Sequence, residues 1–387
     1  MSRTFYRAGF AALALLAFHA GGAAAQSVLA TRGLGYPIEP LEARARGMGG
    51  VALGLPEPSF SLVNPAGAVG ILAAAVSVTF QPDLFEATAG AEATEGSTAR
   101  FPSVQAAFPT RGRFTVSVGY GSFLDQNYRV TRSDSVTLST GRVPVEDRFR
   151  SQGGVARFRG GVGYQVNPRL AVGAALDVFT GAVRDTSTRF VGGLIPAQSA
   201  STVTYTGLGG AVGVRWTPLA ALTVAGAVSG GGELTGDVDD ETVADRTYSL
   251  PLTVDAGASA RVTGHTVLAV SGRWAGWSAA DDDILSRGGA RDAMNASAGL
   301  EYDGLSILGQ PFPLRLGARM ARLPFRFLGT DAEFPDERAV SAGIGARLGR
   351  GAALFDAAIE RGTRGGDAAG FDEPFWRGSV SVTVFAR

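Results

Sequence analysis

The sequence predicts an all-β protein: a closed antiparallel transmembrane β-barrel of about 14 strands, with an N-terminal hatch or plug segment inside its lumen. Three observations carry this. Segments in which apolar residues alternate with small or polar ones recur from about residue 73 to the end of the chain. Tight links between those segments take turns with long ones. The composition is rich in glycine, 55 of 387 residues, with 9% aromatic and only 18% charged residues, where ordinary proteins hold roughly 7% glycine and about 25% charged residues.

Residues 1–25 form the first unit. The basic start MSRTFYR, the short apolar run that follows and the small residues Ala23-Ala24-Ala25 have the form of a signal peptide, with cleavage expected after Ala25. Beyond it no apolar run approaches the ~18 residues of a membrane helix. The chain has no cysteine, which excludes disulfides, thiolate metal sites and a lipidated N-terminus. Losing Arg3 and Arg7 leaves 33 basic residues against 35 acidic ones, a net of −2, and such a balance gives no electrostatic case for nucleic acid.

Residues 26–72 are expected to be the hatch or plug. The stretch 44–70 alternates poorly, carries prolines and contains the Asn64-Pro65-Ala66 break, unlike everything after it. A barrel of this width cannot be filled by its own strand side chains, so selective passage needs an inserted segment. Phe60, Leu62, Val63 and Asn64 are its candidate cargo-facing and anchoring residues.

Residues 73–387 read as the barrel. In FRGGVGYQV, Phe158, Val162, Tyr164 and Val166 share one face, while Arg159, Gly161, Gly163 and Gln165 share the other. Strands are expected at about 73–88, 99–109, 112–130, 144–166, 169–184, 202–217, 221–230, 247–263, 265–278, 291–303, 312–325, 336–348, 351–361 and 374–386. Long connections are expected near 89–98, 131–143, 185–201, 231–246, 279–290, 326–335 and 362–373. Short turns on one rim and long loops on the other suit an outer-membrane barrel, with both chain ends on the periplasmic, short-turn side. Pro251 and the pair Gly119 and Gly121 are expected weak points in the wall.

Arg159, Arg215, Arg273, Arg315, Arg319 and Arg347 fall on the polar face and are expected to point into the lumen, as polar lining or as a fork for a carboxylate head. Trp216, Trp274, Trp277, Trp376, Tyr120 and Tyr164 fall near strand ends, as an interfacial belt would. Two long connections hold apolar residues that loops seldom keep in water: Phe190, Val191, Leu194 and Ile195 in one, Phe325, Phe327 and Leu328 in the other. They form a candidate capture groove, or a cap over the mouth. The aspartates at 237–245 and 281–283 read as solvated loops or as a divalent bridge to lipopolysaccharide. His265 sits in a tight turn without a recognisable nucleophile elbow, and no HExxH occurs, so no enzyme chemistry and no cofactor is indicated.

The segment GMGGVALGLPEPSFSLVNPAG (47–67) resembles the hatch of the FadL-type outer-membrane transporters of fatty acids and other hydrophobic compounds. The stretches SLPLTVDAGASARVTGHTVLAVSGRWAGWS (249–278), PLRLGARMARLPF (313–325) and FWRGSVSVTVF (375–385) are similar to that family's later strands, and the family also has 14 strands. The resemblance implies passive uptake of a hydrophobic small molecule, captured at extracellular loops and gated by the hatch. It also implies contact with outer-membrane lipid and lipopolysaccharide, and folding by the barrel-assembly machinery, for which Phe385 supplies a near-terminal aromatic. The related PorV-like barrels, which bind protein partners in secretion, share the N-terminal pattern and are the alternative.

Overall fold

The computed structural model describes residues 28–31, 33–56, 59–89, 92–138, 141–192, 194–239, 244–284, 289–307, 309–327 and 333–386. The expected signal peptide and Leu328 lie outside the described residues. Fourteen strands follow one another around the wall: β1 (Ala75–Ala89), β2 (Glu92–Pro109), β3 (Phe114–Asp125), β4 (Gly141–Asn167), β5 (Leu170–Val191), β6 (Ala197–Leu219), β7 (Leu222–Val238), β8 (Thr253–Arg261), β9 (Thr266–Ala275), β10 (Ala293–Tyr302), β11 (Leu314–Arg322), β12 (Asp336–Leu348), β13 (Ala353–Gly366) and β14 (Phe371–Phe385). Each pairs antiparallel with the next, and β14 returns to β1 through pairs from Phe385↔Ala75 to Asp372↔Thr88, so the sheet is a closed ring.

Parity along the strands explains why the ring suits a membrane. Outward positions carry Phe158, Leu176, Leu208, Leu268, Leu316 and Ile359, all exposed, while their inward neighbours Arg159, Asp177, Arg315 and Glu360 are buried. An exposed apolar surface of this extent is stable only against lipid. Trp376 and Trp216 are exposed on the same outer face. Trp277 departs from the expected belt: it is only 3% exposed, inside the mouth, because the chain leaves β9 at Gly276 and turns inward through the short helical turn Trp277–Ala280.

Several expected loops are strand instead. β4 has 27 residues, β5 22 and β6 23, and Tyr128–Leu138 continues the line of β3, pairing with β4 from Ser151 to Gly141. At ~3.3 Å per residue and a ~45° tilt, about ten residues cross the hydrocarbon, so these strands stand well clear of it as a sheet beyond the long-loop rim. Phe190 and Val191 accordingly lie in β5, paired with Glu146 and Val145, and not in a loop.

Residues 28–71 touch the wall on every side. Leu29 packs with Ala369 and Phe371 at the long-loop rim. Phe60 and Ile71 pack with Ala75, Ala107 and Phe385 at the short-turn rim. Between these ends the five-residue helix α1 (Ala43–Gly47) lies against β11, β12, β13 and β14. The path is cut to fit. A side-chain carbon on Gly317 would sit 2.0 Å from Gly49 N, one on Gly257 2.4 Å from Leu53 O, and one on Gly213 2.0 Å from Asn64 Oδ1. Glycine in the wall is thus required by close backbone approach. Gly49 and Gly50 take φ of +75° and +85°, which favours glycine.

Candidate functional site

The lumen is layered. Its middle is a network of buried ion pairs. Arg159 clasps Asp177 through Nε at 2.6 Å. Arg364 Nε donates to Glu337 at 2.6 Å, Arg377 Nε to Asp83 at 3.0 Å, and Arg319 Nε to Glu360 at 3.1 Å. Arg273 Nε reaches Asp255 at 2.7 Å, and Arg315 joins Glu301 to Asp356, both at 2.6 Å. Buried charges survive only when paired in this way. All six arginines expected to point inward lie on the inward parity, five of them as partners of carboxylates or of segment carbonyls and Arg347 beside Arg44, Glu301 and Asp356. Arg347 is exposed at the short-turn rim, beside His265 and Asp303.

The wall grips the lumen segment through this layer. Arg157 Nη2 donates to Leu62 O at 3.1 Å, Arg159 Nη1 to Val63 O at 3.3 Å and Arg215 Nη1 to Gly67 O at 3.2 Å. Arg44 forks onto Glu301 at 2.7 and 2.9 Å. Asn64 anchors the turn before β1: its Oδ1 accepts from Ala66 N at 2.9 Å and its Nδ2 donates to Val214 O at 3.1 Å. On the segment itself, burial would raise the Glu39 carboxyl, but Arg273, Arg46 and Arg319 hold it below its ordinary value. Glu42 has weaker compensation; burial, with Asp356 nearby, pushes it up to about 8.

Above the ionic layer the lumen turns apolar. Leu34, Phe123, Phe179, Tyr205, Trp277 and Phe325 belong to one cluster, with Phe123 4.8 Å from Phe179 and Trp277 5.3 Å from Phe325 between ring centroids. Between this roof and the ionic floor lies a cavity of about 120 Å³, lined on the apolar side by Ile38, Val63, Phe123, Ala275 and Trp277. Phe123, Phe179 and Tyr205 were not singled out from the sequence. Their signal was an aromatic residue on the strand parity that elsewhere carries charge.

The other candidate residues are scattered. Of the four candidate residues Phe60, Leu62, Val63 and Asn64, Val63 lines the cavity; Phe60 serves the short-turn rim. Leu62 lies against β3, where a side-chain carbon on Gly119 would meet it at 2.6 Å and one on Gly121 at 2.8 Å. Phe325 is in the roof, and Phe327 pairs with Phe371 at 4.8 Å in a second cluster. Phe190 carries the Arg148 guanidinium 4.5 Å above its ring. Leu194 and Ile195 are exposed in the turn between β5 and β6.

Leu62 lies next to a break in the wall. The β2–β3 ladder runs from Pro109↔Thr115 only to Ser103↔Gly121. Beyond that, Leu124 and Asp125 of β3 pair inward with Pro37 and Tyr36, Ile38 N donates to Phe123 O at 2.9 Å, and β3 is bulged against β4 between Ser122 and Leu124. A second interruption lies at Pro251, between the pairings of β7 with Arg246–Ser249 and with β8. Main-chain pairing thus fails at Pro251 and beyond Gly121, while Gly119 and Gly121 themselves stay paired to both neighbouring strands. Among the described residues no group of three or more His, Asp or Glu side chains is arranged to hold a metal ion.

A closed ring of 14 antiparallel strands around an inserted N-terminal segment is a FadL-like fold. A family model described as BamG matches residues 1–223, more than half of the chain, and the chain belongs to that family. Its fold is similar to that of a Pseudomonas aeruginosa FadL homologue, with a TM-score of 0.63 at 14% identity over 91% of this chain and 99% of that one. It is also similar to the monoaromatic hydrocarbon channel CymD, at 0.58 and 18% over 92% and 98%, and to the P. putida toluene transporter TodX, at 0.60 and 13% over 90% and 99%. No curated protein matches the sequence.

Proposed function

We propose that the chain is an outer-membrane channel for passive uptake of hydrophobic small molecules, entering at the long-loop rim and gated by the lumen segment. The observation that carries this is the aromatic roof over a cavity that ends at a charged floor. A molecule without charge is held by the former and stopped by the latter. The cargo's size follows from the cavity. An engineered apolar cavity of about 150 Å³ accepts benzene, so 120 Å³ suits a single ring or a short chain, and a long fatty acid would need it to enlarge. Structural neighbours named for toluene and monoaromatic hydrocarbons support that size class.

The exit follows from the floor. On the order of ten hydrogen bonds hold the segment, each worth ~1 kcal/mol net or more. Expelling the whole segment on each passage would therefore cost about 10 kcal/mol or more. Moving Leu62 from the β2–β3 break costs far less, so lateral release into the membrane is the favoured path. Capture draws on Phe325 and Phe327 at the mouth, with Leu194, Ile195 and Val191 on the projecting sheet. The signal peptide is removed after Ala25, residues 26–72 form the hatch and 73–387 the barrel. The barrel is surrounded by lipid and lipopolysaccharide, and is folded by the barrel-assembly machinery.

Uptake of radiolabelled toluene into cells carrying the chain, against cells without it, tests the reading. Trp277→Asp should abolish the difference while the heat-dependent gel shift of a closed barrel is kept. Unchanged uptake sinks the proposal. A second reading, a scaffold barrel that binds protein partners, is favoured by the projecting sheet with its exposed Val130, Phe149, Leu194 and Ile195. Deleting residues 129–150, which include the partners of Phe190 and Val191, should slow toluene uptake under the first reading and remove a co-purifying protein under the second.

A further inference from the structure

Three arginines open onto the same cavity with N–H groups that make no hydrogen bond among the described residues. Among the described residues no acceptor lies within hydrogen-bonding distance of Arg46 Nε and Nη1, Arg100 Nε and Nη1, or Arg157 Nε, and all three side chains line the cavity. Arg46 is 3% exposed. Its Nη2 donates to Glu39 O at 3.0 Å and its Nη1 stands 3.6 Å from Glu39 Oε2. Arg100 Nη2 stands 3.3 Å from Asp83 Oδ2 and 3.6 Å from Asp125 Oδ2. Burial, and the positive charges of Arg377 and Arg319, hold the Arg46 guanidinium below its ordinary value. A buried charged donor left unpaired is costly, and several at one cavity point to an anion that completes them.

Two acceptors sharpen its identity. Gln81 Oε1 and Glu39 Oε2 are buried on the same cavity and accept no hydrogen bond among the described residues, Glu39 Oε2 facing Arg46 Nη1 at 3.6 Å and Arg319 Nη1 at 4.0 Å. A ligand that satisfies both sets accepts through several oxygens and donates through at least one hydroxyl. Hydrogen phosphate does so at neutral pH; sulfate has the oxygens without the hydroxyl. We propose that this cavity is a binding site for hydrogen phosphate, which joins Arg46 of the lumen segment to Arg100 and Arg157 of the wall and donates to Gln81. The site stands on its own geometry. Its consequence, that occupancy latches the segment in place, rests on the gate reading above.

Titration calorimetry on the full chain in detergent, at pH 7 and constant ionic strength, tests this with inorganic phosphate, sulfate and octanoate. One phosphate should bind per chain, with sulfate about tenfold weaker for want of one hydrogen bond at a buried acceptor. Arg100→Gln and Arg46→Gln should each weaken phosphate by about tenfold or more, by the loss of charge-assisted bonds. No saturable phosphate binding to the unaltered chain overturns the proposal. So do equal affinities for phosphate and sulfate, binding unchanged in both variants, or binding of octanoate alone, which would make the site the seat of a cargo head group. If a variant does not fold, the phosphate and sulfate comparison on the unaltered chain decides. Toluene uptake is read separately: its failure with phosphate binding intact sinks the transport reading and leaves the site.

Discussion

Glu42 is the residue whose chemistry is most exposed to a change of conditions. It precedes α1, accepts from Ser77 Oγ at 3.0 Å, and has its carboxyl pushed up from an ordinary 4.5 to about 8 by burial, with Asp356 adding to the rise and Arg44 opposing it. The folded protein therefore holds a proton that the unfolded chain releases above about 4.5, so stability falls as pH rises from there to about 8 and levels off beyond. The thermal midpoint in detergent should decline across that window, and Glu42→Gln should flatten the decline. An equal slope in the variant would dismiss Glu42 as its source. Nothing in the sequence marked this residue, because an acid two and four residues before arginines reads as paired until the fold turns both toward other partners: Arg44 to Glu301 and Arg46 to the Glu39 carbonyl. Asn64 was legible because its job is local: an Asn-Pro turn bonds its own backbone whatever surrounds it.

At the level of elements, strand number and order were readable, and strand length on one side was not. Within the bilayer one face of each strand meets lipid and the other the lumen, so hydrophobicity alternates. Beyond it both faces are wet, and segments such as Asp185–Arg189 lose the alternation while keeping their ladder to β4 and β6. Polarity there was taken for a loop. The β2–β3 break was half legible, since Gly119 and Gly121 signalled weak packing, but the inward pairing of Tyr36 and Pro37 that replaces the lost ladder came from a distant stretch. A leucine at the edge of a gap gives a sharp expectation. Leu62→Ala should increase the rate of toluene uptake several-fold if release runs through the break, because the substitution removes the blocking side chain without touching the backbone bonds of Leu62. It should also lower stability by about 2–4 kcal/mol, the usual range for a buried leucine. Loss of stability with an unchanged rate would assign Leu62 to packing alone.

For the whole molecule, the enclosure and its charged middle followed from parity, whereas the ion-pair partners did not, because pairs such as Arg377 and Asp83 join opposite ends of the chain. The same long-range closure bears on how the molecule comes into being. Ala43 N donates to Ser381 Oγ of β14 at 2.7 Å, and the neighbouring Glu42 takes its hydrogen bond from Ser77 of β1, so the start of α1 lies across the junction between the first and last strands. The segment from Leu29 to Ile71 runs the full height of the ring and is too closely fitted, as at Gly317 and Gly213, to be threaded through a finished one. The fit predicts that it is laid in place while β1 and β14 are still apart, and that their union is guided by a template already seated between them. Replacing Ser77 and Ser381 together by Ala should thus delay the appearance of the heat-modifiable form in a pulse-chase experiment more than it lowers the final midpoint. Equal timing in the two proteins would mean that the ring zips without that guide. A barrel made this way acquires its contents and its last seam in one event, and an empty version is not a stage on its route.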